Sequence, residues 1–263
     1  MTADNDQAFY QYYASESLAA ATLERFAATQ AQVVRAARHF GLDQGTWDVA
    51  DVGCGAATQC ALWARAGHRV FGVDINEALI ELGRERASAA GLHIDLRTGT
   101  ATELPWPDAT MDVCLCPELL EHVADWQSVV TEAVRVLKPG GVLYLSTTNK
   151  LCPKQDEFDL PAYSWYPAPL KRHYEKLSVT TRPELVSHAK YPAVNWFSYF
   201  GLRKHLAKLG LHCLDRFDVA ALADQGVVGK VILGAIRAFP PFRWTGHVLT
   251  PYTMVFARKD RAA

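Results

Sequence analysis

Between Thr46 and Leu145, short apolar runs alternate with amphipathic stretches of helical length, and this alternation constrains the fold more than any other feature. Trp47–Val52, Val70–Val73, His93–Leu96, Met111–Cys116 and Val142–Ser146 have strand length and composition. Ala57–Ala66, Glu77–Ala90 and Trp126–Leu137 carry helical spacing, and they end at Gly67, Gly91 and Pro139-Gly140-Gly141. Strands separated by helices of that length run parallel, because an antiparallel neighbour needs only a tight turn. The pattern predicts an α/β fold: a doubly wound (Rossmann-like), mostly parallel seven-stranded sheet. Leu211–Leu214 and Tyr252–Ala257 are its last strands.

The chain has 263 residues, 49% of them apolar and 21% charged, enough for one large domain with an insertion. Its formal net charge of −1 carries no nucleic-acid signature. The charge is nevertheless divided: residues 1–149 hold 10 Lys/Arg against 19 Asp/Glu, and the remainder 17 against 9. Six cysteines lie at 54, 60, 114, 116, 152 and 213, none in C-x-x-C spacing, and the start lacks a basic segment followed by an apolar one. Reduced thiols and a cytoplasmic location are therefore expected. The most apolar run, 226–242, contains Lys230, Arg237 and Pro240-Pro241, too short and too charged for a membrane span.

The chemistry begins at Asp51-Val52-Gly53-Cys54-Gly55-Ala56-Ala57-Thr58, where the first strand turns into the first helix of the alternation. Asp74 follows 19 residues after Gly55, at the end of the next strand, where an acid can accept hydrogen bonds from both hydroxyls of a ribose. A nicotinamide cofactor and S-adenosylmethionine both fit this much. Two residues favour the second. Thr58 stands where the dinucleotide fingerprint needs Gly or Ala. Asp51, at the strand end, suits an amine or a cationic sulfur and would repel a pyrophosphate.

With these residues the sequence resembles the class I S-adenosylmethionine-dependent methyltransferases. Asp51–Gly55 is similar to their first motif, Val70–Ile75 to the second and Gly99–Asp108 to the third. Leu120-Glu121-His122-Val123 and Leu137-Lys138-Pro139-Gly140-Gly141 are similar to the fourth and fifth. The resemblance implies Asp51, Gly53 and Gly55 around the methionine part and Asp74 at the ribose. It places Ile75, Thr100 and Ala101 beside the adenine, and the Cys116 main chain beside the sulfonium. Thr100 departs from the Asp or Asn common there, and Ala57 from a third glycine.

Pro117-Glu118-Leu119-Leu120-Glu121-His122 follows the fourth strand. If a helical turn starts here, Glu118, Glu121 and His122 share a face. His122, assisted by Glu121, can then take the proton of an acceptor hydroxyl. Alternatively Glu118, Glu121 and His122 hold Mg²⁺, which would acidify a bound phenol. The segment is similar to that of the ubiquinone-biosynthesis O-methyltransferases, where these positions are linked to a divalent metal and to catalysis. Glu-His-Val also occurs in class I relatives that use no metal.

Residues 1–45 are expected to form an N-terminal helical cap on a methyltransferase domain, 46–263. Within that domain, 150–196 is a long, weakly periodic insertion after the fifth strand. It is rich in aromatics (Phe158, Tyr163, Trp165, Tyr166, Tyr174, Tyr191) and in cations (Lys171, Arg172, Lys176, Lys190). It is expected to be a lid over an apolar acceptor, with His173 and His188 as further proton acceptors, or else a small aromatic core with a solvated rim. The segment 226–243 is amphipathic and basic, a composition suited to peripheral contact with anionic lipid or to packing on the sheet. The reading is O-methylation of an apolar aromatic or lipid-like small molecule. N- or C-methylation, or cofactor binding without catalysis, remain the alternatives.

Overall fold

The computed structural model describes residues 10, 14–42, 45–186, 192–222 and 226–260. Parts of the expected N-terminal cap, together with His188, Lys190 and Tyr191, lie outside the described residues.

Seven strands form one sheet in the order β3-β2-β1-β4-β5-β7-β6. They are β1 (Asp48–Val52), β2 (Arg69–Asp74), β3 (Ile94–Thr98), β4 (Met111–Pro117), β5 (Leu137–Thr148), β6 (Leu211–Asp215) and β7 (Tyr252–Lys259). The first five run parallel, and β7 is antiparallel to both β5 and β6. The helices are α1 (Ala20–His39), α2 (Thr58–Arg65), α3 (Glu77–Ala89), α4 (Trp126–Val136), α5 (Ala168–Thr180), α6 (Tyr199–Lys208), the single turn α7 (Arg216–Val219), α8 (Val227–Ala238) and α9 (Pro240–Val248).

Two apolar layers cover the sheet, as the period of two along each strand requires. Ala50, Val52, Cys114, Cys116, Leu143 and Leu145 face a core built with Val130, Ala133, Leu202 and Leu206 of α4 and α6. Val49, Val113, Leu115, Val142 and Tyr144 face the opposite core, built with Val33, Ala36, Trp63 and Ile80 of α1, α2 and α3. Because the order reverses between β1 and β4, a crevice opens at the carboxyl ends of those two strands.

The insertion contains more regular structure than its weak periodicity suggests: α5, and 3₁₀ turns at Tyr163–Trp165 and Pro183–Leu185. Phe158, Tyr163 and Leu185 form a third buried cluster, with Tyr166, Tyr174, Leu177 and Trp196 packed against it. The aromatics therefore serve first as a small satellite core. Phe158 stacks on Tyr163 at 4.1 Å, and the Lys171 ammonium lies 4.4 Å from the Trp196 ring centre.

Candidate active site

The glycine-rich turn is held from within. Gly53 and Cys54 donate their N–H groups to the Val73 carbonyl at 2.8 and 3.1 Å, and Ala57 donates to the Cys54 carbonyl at 2.9 Å. Gly55 donates to Asp74 Oδ2 at 2.8 Å. Gly53 and Gly55 both have positive φ, +78° and +52°, which a side chain would strain. A Cβ on Gly53 would also sit 3.1 Å from Leu119 Cδ1, so the turn after β4 lies directly over it.

Four of the loop's amides are thus already committed to protein acceptors. Phosphate-binding loops work by aiming unpaired amides at the anion, and in this loop the amides nearest the strand end are turned inward. Instead, two desolvated carboxylates flank it. Asp51 is buried; its Oδ2 accepts from the Cys60 thiol at 3.2 Å, and Oδ1 has no hydrogen-bond partner among the described residues. Burial, with help from nearby Asp74, pushes the Asp51 carboxyl up to about 7. Asp74 is also raised by burial, although the Asn76, Gly55 and Ile75 amides oppose this. The Thr58 hydroxyl and both polar atoms of the Gln59 side chain are buried and equally unsatisfied among the described residues. Buried polar atoms of this kind need a partner, and three residues that need one lie together at this turn. Gln59 was not singled out from the sequence, where a glutamine inside a helix carries no signal.

The expected adenine side gathers here as well. Gly99 donates to the Asp74 carbonyl at 2.9 Å, bringing Thr100 and Ala101 beside β2. Ile75 is 73% exposed next to the Asp74 carboxylate, an apolar surface at the edge of the crevice. The Thr100 hydroxyl is engaged locally with that of Thr102 at 2.8 Å. Cys116 points into the core, leaving only its main chain near the crevice.

The segment after β4 differs from expectation. It is a turn rather than a helix, with Glu118 in the left-handed region at φ +48°. Glu118 is drawn away to Arg25 of α1 at 2.5 Å. Glu121 is completely buried, accepts from the Thr147 hydroxyl at 2.7 Å, and is pushed up to about 8, chiefly by burial. Its carbonyl receives the Val194 and Asn195 amides at 2.8 and 3.1 Å. Glu118, Glu121 and His122 therefore do not converge as a metal set. Among the described residues no three His, Cys, Asp or Glu side chains are grouped to hold an ion. Sequence spacing suggested otherwise because it assumed a helical face. The Glu121 side chain braces the turn instead of reaching an acceptor, while His122 is half-buried on the same turn.

Two residues of the insertion complete the region without having been expected. Asn195 Nδ2 donates to the Leu120 and Val123 carbonyls at 3.0 and 2.7 Å, fastening the returning insertion to the turn. The Glu157 carboxyl is pushed up to about 7 by burial and by neighbouring Glu118 and Asp156. His173, by contrast, is exposed on α5, edge-on to Tyr174.

A family model described as a methyltransferase domain matches residues 50–145, the stretch that supplies the glycine turn, Asp74, the Gly99 loop and the turn after β4. A ubiquinone biosynthesis O-methyltransferase from Hahella chejuensis is 41% identical over 103 residues, 39% of this chain and 43% of that protein. One from Brucella anthropi is 32% identical over 180 residues, 66% of this chain and 64% of that protein. The chain spans about half the length, or less, of the first curated relatives it matches. The crystal structure of a geranyl diphosphate methyltransferase in complex with GPP and sinefungin shares the fold. Its TM-score is 0.53 and its identity 19%, over 89% of this chain and 78% of its own. The residues matched by the family model end at 145, within β5, although β6 and β7 belong to the same sheet. The insertion and the 216–251 connection lie beyond the matched residues.

Proposed function

We propose that this chain is an S-adenosylmethionine-dependent methyltransferase that methylates a hydroxyl oxygen of an apolar, aromatic or lipid-like small molecule. One observation carries the cofactor assignment: two carboxylates, buried Asp51 and half-buried Asp74, flank the glycine turn, and Asp74 takes the Gly55 amide itself. This suits a cationic nucleoside and opposes a pyrophosphate. The relatives' names support oxygen as the acceptor atom.

S-adenosylmethionine, when bound, supplies an activated methyl group. The chain's own residues do the rest. Asp51, Thr58 and Gln59 supply unsatisfied polar atoms beside the turn for the methionine portion. Each Asp74 oxygen already accepts one main-chain bond and keeps a lone pair for a ribose hydroxyl. Exposed Ile75 and the 99–101 loop flank the base. His122 is the proton acceptor, and buried Glu121 with Asn195 fixes the turn that carries it. Alignment and exclusion of water account for most of the acceleration when the donor is already reactive.

Calorimetry with S-adenosylmethionine and S-adenosylhomocysteine tests the cofactor assignment; absence of heat with both would end it. Incubation with methyl-labelled donor and a panel of phenols, carboxylic acids and amines tests the acceptor. Label appearing only on amines would replace the O-methyl reading by N-methylation. Binding without turnover on any acceptor would leave a non-catalytic module.

A further inference from the structure

We propose that the α8–α9 hairpin docks this chain onto an anionic lipid bilayer, at the same end of the sheet as the crevice. Antiparallel neighbours such as β6 and β7 need only a short turn. Here residues 216–251 intervene, and they leave and re-enter the sheet where the parallel strands finish. Thr148, at the end of β5, pairs with Tyr252, at the start of β7. Asn149 Nδ2 fixes the returning segment there by donating to the His247 and Thr250 carbonyls at 2.6 and 2.7 Å.

The hairpin is anchored on one side only. Arg237 donates to the carbonyls of Phe217, Asp218 and Ala220, and Arg243 pairs with Asp215 and Asp218. Leu233 is the one buried residue of α8. The other side presents Val227, Val228 and Val231 at 80%, 72% and 69% exposure, followed by Ile232, Phe239, Phe242, Trp244 and Leu249, all more than half exposed. A water-facing helix carries polar residues in such places, and a contiguous apolar surface of this kind marks an interaction site.

Charge and length select the partner. No Asp or Glu occurs from 225 to 259, and Lys230 stands exposed among the valines. Beside the hairpin, Phe200, Arg203 and Trp244 line a groove of about 650 Å³ together with the Arg243–Asp218 ion pair, so aromatic rings and the Arg203 cation border the apolar face. That arrangement fits the headgroup region of an anionic leaflet. In a two-fold contact between copies, the 225–259 face would lie against itself with no carboxylate of its own to pair its cations, which disfavours a second copy as the occupant. At 12 and 9 residues the helices cannot span a bilayer, and no described helix is long and apolar enough to do so. They lie in the plane of the interface.

The test is vesicle flotation of the full chain, without any methyl donor, so that its outcome is independent of the methyl-transfer reading. Wild type should float with phosphatidylglycerol-containing vesicles and much less with phosphatidylcholine alone. The Val228→Glu/Ile232→Glu variant should lose about tenfold or more of its partitioning. Both positions are solvent-facing, and an unchanged circular dichroism spectrum confirms that the variant is folded. Wild type remaining at the bottom with anionic vesicles, or a folded variant floating equally well, overturns the proposal. So does a dimer in sedimentation velocity that the same variant converts to monomer, because the face would then belong to a second copy.

Discussion

Asp51 is the residue whose environment says most about the site. Its carboxyl is held up to about 7 by burial, so it is largely neutral just below that pH and charged above it. A cationic ligand binds the charged form. Affinity for S-adenosylmethionine should therefore rise as pH goes from 6 to 8, and Asp51→Asn should flatten that rise. Calorimetry across this range reads both, and a flat wild-type profile would show that Asp51 does not meet the ligand's positive charge. Asp74 has a double task, because it caps Gly55 and Asn76 as well as facing the sugar site. Asp74→Ala should weaken S-adenosylhomocysteine binding by tenfold or more, since a lost hydrogen bond to a charged group is worth about 1.5–3 kcal/mol. It should also lower the melting temperature of the free chain. Both residues were legible in the sequence because strand ends and glycine turns have fixed geometry. Gln59 was not, because only packing shows that its amide is buried without partners.

At the level of elements, the alternating strands and helices up to Val136 were legible almost residue for residue, because burial on both faces of a parallel sheet leaves a strong apolar pattern. Pro139-Gly140-Gly141, expected as a stop, instead lies inside β5. Two segments were not legible. The turn after β4 was expected to be helical, but the helix starts only at Trp126, where Asp125 caps it by accepting from the Ser128 amide. That difference separates Glu118 from Glu121. The insertion hid α5, whose half-exposed surface leaves only Ser178 fully buried and so little periodicity to read. What the sequence could not signal at all is the Asn195 clip, a contact between segments more than 70 residues apart. Asn195→Ala removes two bonds to the turn and should cost about 1–3 kcal/mol. Hydrogen exchange should then report faster opening of residues 118–124 together with the insertion. Loss of protection in neither segment would mean that the Val194 and Asn195 amides suffice to hold the turn.

For the molecule as a whole, acids raised by burial shape the response to pH, with Asp51 and Glu121 the two most deeply buried and Glu157 acting in the same direction. Asp51 and Glu121 titrate near 7 and 8 in the fold but near ordinary carboxylate values when unfolded. Groups raised in this way favour the folded state while protonated in it. Their contribution is present in full below about pH 4 and fades as pH climbs through 7 to 8. The ligand-free chain should therefore melt at a lower temperature at pH 8 than at pH 6, and Asp51→Asn with Glu121→Gln should shrink the difference. Saturating S-adenosylhomocysteine should offset the loss at high pH, since binding to the folded state alone stabilises it.

The end of β5 and the two residues just past it have a mechanical consequence. Asn149 grips the connection between β6 and β7, while the Lys150 amide donates to the Phe197 carbonyl at 2.7 Å and the Thr148 hydroxyl to that of Asn195 at 3.1 Å. Two awnings of unrelated sequence hang from one bracket three residues wide. Pulling on either one loads the same strand tip, so a disturbance of the β6–β7 connection and one of the insertion are joined by a single short lever.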